Sequence, residues 1–312
     1  MSKTSERDKM REFLLLLPFL GPNAFSEFLS LLKENSKSGI YFQISKRNSS
    51  QLPIAEKKLN DIIKFLPCKP KNCYKTDKRP GYALIVNIAN YGSKVNLSSR
   101  KGSEIDIESL QCLFSELKYD FDVYNDLDLE RLIAVIKKKI EMGKNFSTFI
   151  FVFMSHGIKD YVYLSDGSII SISKLINFFS NKNAKELSGK PKLIIFQACR
   201  GSSIHHSNYQ DVNFPDFDLG ITREQSDDGM PIISDMVIAY STIYGYVSWR
   251  SENEGSHFIQ TLCQVFQENY KQMHVLDMLC EVNNSMLNSE DYKEKRQITQ
   301  PINTLRRAFF LV

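Results

Sequence analysis

From Gly81 onward, short unbroken apolar runs alternate with stretches whose apolar residues recur at helical spacing. Tyr82 to Ala89 is one apolar run, and Thr148 to Met154 and Leu193 to Phe196 are two more. Strands without polar alternation are covered on both faces, as parallel strands between helices are. Phe121–Tyr124 and Met236–Tyr240 add two further strands. Between them, Ser103 with Asp106 reads as a capping-box start, followed by Ile107, Leu110, Leu113, Phe114 and Leu117 on one helical face. Asp128 caps a second helix, whose face is Leu129, Leu132, Ile133, Ile136 and Ile140. Tyr161–Leu164 and Ser168–Ile170 flank Asp166-Gly167 and read as a hairpin with a type I′ turn. Ser173 starts another helix, and Ser256–Tyr270 and Val275–Met286 are helical. Ile302 to Val312 closes the chain as an extended apolar strand. Such an order implies an α/β fold, with a mostly parallel central sheet between two helix layers. An apolar last strand at a sheet edge invites aggregation unless covered, and a second copy of the chain would cover it.

The pattern before Gly81 is different. Within residues 1–35, two short helices lie around Gly21-Pro22, the second with Phe25, Phe28, Leu29, Leu31 and Leu32 on a broad apolar face. A pair this small cannot bury that face alone. Residues 36–80 are polar and read as a linker, with a helical patch around Ala55–Leu66.

A chain of 312 residues, 42% hydrophobic, is long enough for one large core plus a small appendage. The net charge of +4 makes no case for nucleic acid. Its distribution is uneven, with 16 Lys/Arg against 8 Asp/Glu in residues 1–80 and seven Asp/Glu against one Arg in residues 201–235. No stretch reaches the roughly 20 apolar residues of a membrane span. Phe13–Leu20 is a poor signal-peptide core, since Glu6, Asp8 and Glu12 precede it and Pro18 interrupts it. The six cysteines are scattered, and Cys68 and Cys73 lack the second pair that zinc needs. His205 and His206 read as a solvated pair, so no metal and no cofactor are expected. A reduced, cytoplasmic protein fits this usage.

Two of the buried runs end in chemistry. Thr148–Met154 runs into Ser155-His156-Gly157, and Leu193–Phe196 into Gln197-Ala198-Cys199-Arg200-Gly201. Open α/β sheets place their sites at the carboxyl ends of such strands. A thiol is only a few per cent thiolate at neutral pH and needs a base beside it, so Cys199 is the candidate nucleophile and His156 the candidate base. Packing accounts for the other cysteines, but poorly for one set between Gln197 and an Arg-Gly pair. A thiol attacking a peptide carbonyl also creates an oxyanion that backbone N–H groups must meet. Gly157 puts no side chain in the way.

Gln197-Ala198-Cys199-Arg200-Gly201, with Ser155-His156-Gly157 upstream, resembles the caspases; this cysteine signature and its upstream histidine are a known pairing. The resemblance runs from about Gly81 to Val312 and includes Ser99-Arg100-Lys101-Gly102, Gly189-Lys190-Pro191-Lys192, Tyr240-Ser241-Thr242 and Ser248-Trp249-Arg250. It implies a caspase-like three-layer sandwich and a cysteine endopeptidase that cleaves protein substrates after aspartate. It further implies a zymogen cut in the acidic loop from about residue 202, giving a large subunit (81–228) and a small subunit (229–312).

By the same resemblance, the N–H groups of Gly157 and Cys199 form the oxyanion hole. Arg100, Gln197 and Arg250, with Ser248 near, line the aspartate pocket, and Trp249 walls the neighbouring one. A planar, permanently charged guanidinium suits a buried carboxylate. No carboxylate in the sequence clearly orients His156; the resemblance implies that backbone does. Asp228, ahead of Gly229, is the first expectation for processing, with Asp218 and Asp216 behind it. The last strand is implied to form a homodimer centre. Leu17–Phe25 resembles the later part of a caspase-recruitment domain, which leaves two readings for this segment: a partial module that engages an adaptor, or a helical appendage without a specific partner. His257 stands where many family members carry tryptophan, and Val247 where an aromatic is frequent. A catalytically silent, caspase-like regulator that binds caspases or adaptors is the alternative, which the partial recruitment segment and His257 keep open.

Overall fold

The computed structural model describes residues 72–76, 80–93, 95–201, 231–289 and 296–312. The segments 1–35 and most of 36–80, and Asp216, Asp218 and Asp228, the aspartates expected to be cut, lie outside the described residues.

Six strands form the central sheet: β1 (Tyr82–Asn87), β2 (Asp120–Asn125), β3 (Phe149–Met154), β7 (Lys192–Gln197), β8 (Met236–Tyr240) and β11 (Gln300–Asn303). Their order is β11-β8-β7-β3-β1-β2. All neighbours are parallel except β11, which runs antiparallel to β8. Every residue of β1, β3, β7 and β8 is buried, the reason these strands read as unbroken apolar runs. Their side chains alternate between two cores. Ala83, Ile85, Ile150, Val152, Leu193 and Ile195 face one. Leu84, Val86, Phe151, Phe153, Ile194 and Phe196 face the other.

Helices cover both faces. On the first lie α1 (Ser103–Glu116), α4 (His257–Asn269) and α5 (Val275–Asn288), which supply Leu110, Leu113, Phe258, Leu262, Val275 and Leu279. On the second lie α2 (Leu129–Glu141) and α3 (Ile172–Phe178), which supply Leu132, Ile136, Ile140, Leu175 and Ile176. The expected three-layer α/β sandwich is what forms. Two small antiparallel sheets hang from it, β4 (Gly157–Ile158) with β5 (Tyr161–Tyr163) and β6 (Ile169–Ser171), and β9 (Arg250–Ser251) with β10 (Gly255–Ser256).

Local geometry corrects four expectations. Asp128 does cap α2, accepting from the Arg131 N–H at 2.9 Å, but Ser103 and Asp106 form no capping box. Gly102, with φ 83°, is the N-cap of α1, and no side chain caps it. Asp106 is instead turned inward, 0% exposed, toward Ser256 and Gln260. Second, α3 is capped by Ser171, which accepts from Lys174 N, rather than by Ser173. Third, the β5–β6 turn is not type I′, which needs two residues at positive φ. Only Gly167 has one (82°), and its N–H donates to Leu164 O at 3.0 Å. Fourth, the final strand is the four-residue Gln300–Asn303, not Ile302–Val312. The apolar tail Phe309, Phe310 and Leu311 leaves the sheet and is buried, with Tyr119 donating to Leu311 O at 2.6 Å. What stands at the sheet edge is short and carries Pro301, with Ile302 39% exposed. Both features blunt an edge.

Candidate active site

Parallel pairing delivers the site. Met154 of β3 is in register with both Asn87 of β1 and Gln197 of β7, so three strands end on one line. His156 and Cys199 each follow two residues beyond it. The two chains stay together past the strand ends, with the Ser155 N–H donating to Gln197 O at 3.1 Å and the Lys159 N–H to Gly201 O at 3.4 Å.

Gly157 sits close against the cysteine segment. A Cβ there would stand 2.6 Å from Cys199 O and 2.9 Å from the Ala198 Cβ, so any side chain would push the cysteine segment away. The Tyr163 N–H donates to His156 O at 3.0 Å. Hydrogen-bonded and non-hydrogen-bonded pairs alternate along an antiparallel ladder. The next pair, Gly157 with Val162, is therefore of the second kind, and it leaves the Gly157 N–H outside the ladder.

The His156 ring is oriented by backbone. Its Nε2 lies 2.9 Å from Ser98 O. A carbonyl only accepts, so Nε2 carries the hydrogen and Nδ1 is the free, basic nitrogen of the neutral ring. Burial pushes the imidazole below its usual pKa; the Ser98 contact opposes this, and Arg100 and Arg250 reinforce it. Cys199 Sγ is held by the Ser248 segment, receiving the Ser248 N–H at 3.5 Å and lying 3.8 Å from Ser248 O.

Around this pair the sequence-expected residues converge. Arg100 is 3% exposed, and its Nη1 donates to Asn87 Oδ1 at 2.8 Å and to Ile88 O at 3.3 Å. Burial and the neighbouring Arg250 lower its pKa, while Cys199 is among the groups that raise it. Arg250, on β9, donates to Lys101 O beside Arg100. Gln197 is buried and donates through Nε2 to Ser248 Oγ at 3.0 Å, leaving its Oε1 buried without a partner. Trp249 is half-buried.

Four contributors escaped the sequence reading. Gln297 accepts the Trp249 N–H at 2.8 Å and donates to Ser241 O at 2.6 Å and Ser248 Oγ at 3.1 Å. Asp106 accepts the Ser256 N–H and hydroxyl at 2.7 and 2.5 Å and the Gln260 amide at 2.9 Å, fastening β10, which pairs Ser256 with Arg250. Tyr91 and Ser98 flank His156. Each acts across a long sequence separation, so no local pattern marks them. Among the described residues, no group of three His, Cys, Asp or Glu is placed to hold a metal ion. The five described cysteines are free. No helix among the described residues is long and apolar enough to cross a membrane.

A family profile described as Caspase domain matches residues 80–310. Curated relatives include Caspase-3 of Oryctolagus cuniculus, 35% identical over 215 residues, covering 68% of this chain and 74% of the relative. Caspase-7 of Gallus gallus is 32% identical over 241 residues, covering 75% of this chain and 77% of the relative. Caspase-2 of Gallus gallus is 29% identical over 333 residues, covering 90% and 78%.

Proposed function

The chain belongs to the caspase family, and from that premise we propose that it is a cysteine endopeptidase cleaving protein substrates after aspartate. Cys199 is the nucleophile. Nδ1 of His156 takes its proton and later gives it to the leaving amine. The observation that carries this reading is the Met154–Gln197 register, which sets His156 and Cys199 at the ends of adjacent strands. The depressed imidazole pKa supports it as well, because the ring is then neutral and basic at pH 7. Gly157, whose N–H is outside the ladder, and the Cys199 N–H receive the oxyanion.

The substrate aspartate is met by Arg100 and Arg250, with Gln197 between. Two cations near one another are electrostatically costly when nothing lies between them. A carboxylate placed there relieves both. Gln197 suits the same task. Amide oxygen and nitrogen are assigned from their partners, and Ser248 Oγ receives two N–H donors as the amide stands. With the Gln197 amide turned over, Oε1 accepts the Ser248 hydroxyl and Nε2 becomes a buried donor awaiting an acceptor from outside the chain. Ser248 lies beside this pocket, and Trp249 walls the neighbouring one.

The chain acts as a cytoplasmic zymogen in apoptotic or related proteolytic signalling. Cutting at Asp228, or at Asp218 or Asp216, divides it into a large and a small subunit, and the processed chains pair as a homodimer. A recruitment-type adaptor engages residues 1–35. The five-residue pairing of β7 with β8 keeps the two subunits together after the cut. Expression of the wild-type chain beside Cys199→Ala tests the reading. Fragments ending within residues 202–230, seen only in the wild type, support it. A wild-type chain that stays full-length at high concentration favours a silent, caspase-like regulator instead.

A further inference from the structure

The hydroxyl of Tyr91 reaches three groups around His156. It lies 2.8 Å from the His156 N–H, 3.0 Å from Ser155 Oγ and 3.1 Å from Ile88 O. Hydrogen directions follow by elimination. The Ser155 hydroxyl gives its hydrogen to Tyr163 O at 2.6 Å, so toward Tyr91 it accepts. Tyr91 therefore accepts the His156 N–H and donates on the other side, to Ser155 Oγ or Ile88 O. A phenolate could not donate there, and burial holds the phenol above its usual pKa. The Tyr91 ring then lies along the imidazole, centroids 5.2 Å apart and planes 32° from parallel.

The same loop supplies the contact on the ring's nitrogen side, since Ser98 O meets Nε2 at 2.9 Å. The loop itself is pinned. Asp126 accepts the Ala89 and Asn90 N–H groups at 2.7 and 2.9 Å and the Asn90 amide at 2.9 Å, and Asn90 Oδ1 accepts the Ser99 hydroxyl at 3.1 Å. His156 is thus gripped by its backbone N–H, its face and Nε2, all from residues 88–100. We propose that Tyr91 is a positioning residue for His156, its hydroxyl fixing the backbone from which the imidazole springs and its ring fixing the plane of that imidazole. This rests on the reading of His156 as the catalytic base.

Two variants separate hydroxyl from ring. Tyr91→Phe keeps the ring and removes the hydroxyl. Its kcat falls about tenfold with KM unchanged, as displacement of a catalytic group costs turnover rather than binding. Tyr91→Ala removes the ring as well. Burial is the largest cause of the low His156 pKa, and the other charged groups acting on the ring, Arg100 and Arg250, remain in place. The His156 titration, followed by NMR in a Cys199→Ala background, therefore moves up toward about 6.5, the value of a solvated imidazole. That arm needs no turnover. An inactive wild type would defeat the protease reading while the titration alone decided the Tyr91 pairing. Wild-type kcat in Tyr91→Phe, or an unmoved His156 midpoint in Tyr91→Ala, overturns the proposal.

Discussion

Met154 and Gln197 are register partners at the carboxyl ends of adjacent parallel strands, and His156 and Cys199 each stand two residues past them. The spacing between these two residues is thus set by strand pairing, not by a loop. Loops hold only the orientation, through Ser98 and Tyr91 on one side and Ser248 on the other.

The depressed His156 pKa fixes a pH dependence. Its folded value lies below the unfolded 6.5, mainly through burial and then through Arg100 and Arg250. With the neutral ring as the proposed base, activity is expected to fall as pH falls through the folded value. A kcat/KM profile on an aspartate peptide is expected to show its acid limb below pH 6.5. A limb above that value would mean that burial and the arginines do not govern the ring.

Asp106 is a fully buried carboxylate that accepts hydrogen bonds from Ser256 and Gln260, and burial raises its pKa above 3.8. Its native state therefore holds a proton more tightly than the unfolded chain does. The stability this contributes is complete below 3.8 and lost as pH rises through the folded value. Asp106→Asn keeps one acceptor oxygen without the buried charge and is expected to unfold within about 1 kcal/mol of wild type at pH 7, without that slope. Asp106→Ala strands the Ser256 and Gln260 donors and costs about 2–3 kcal/mol in denaturant melts. It also loosens the β9–β10 pairing that carries Arg250, so KM for aspartate peptides rises.

Lys192 opens β7 with its side chain 0% exposed. Its ammonium donates to Asn181 Oδ1 at 3.2 Å, Leu187 O at 3.3 Å and Lys190 O at 3.4 Å. Burial, opposed by Asp235, pushes its pKa down to about 8. For a base depressed in this way, the stability it contributes is complete above 10.5 and lost as pH falls through about 8. The unfolding free energy of wild type relative to Lys192→Met is expected to rise by about 3 kcal/mol between those limits, at about 1.4 kcal/mol per pH unit. A flat difference across that range would contradict the burial argument.

The order of elements was legible because the buried strands are unbroken apolar runs and the helices keep a clean period. The strand ends bearing His156 and Cys199 were legible for the same reason. The final segment was misread because Phe309, Phe310 and Leu311 are as apolar as a core strand, yet they fill the space beneath Tyr119 and Val275. Nothing local distinguishes burial under helices from burial in a sheet. Asp106 was misread as a cap because its partner Ser256 lies 150 residues away. Gln297 and Tyr91 were invisible likewise, since their hydrogen bonds join segments that only the fold brings together.

Those three tail residues carry a prediction of their own. Removing residues 309–312 exposes apolar surface worth about 1.5–3 kcal/mol for each buried side chain and leaves Tyr119 without its acceptor. The truncated chain is expected to be unfolded or to melt many degrees lower by calorimetry. An unchanged melting temperature would place the tail outside the core.

The central claim, a thiol protease with an arginine-lined aspartate pocket, is tested most directly with paired peptides. They differ only in Asp versus Asn before the scissile bond, and are assayed on purified intact and loop-cleaved protein beside Cys199→Ala. Turnover of the Asp peptide with roughly 10³–10⁴-fold less of the Asn peptide is expected, because unpaired buried guanidinium groups reject an uncharged side chain. That turnover is lost in Cys199→Ala. Equal cleavage of both peptides, or none by folded, loop-cleaved protein, would contradict the account.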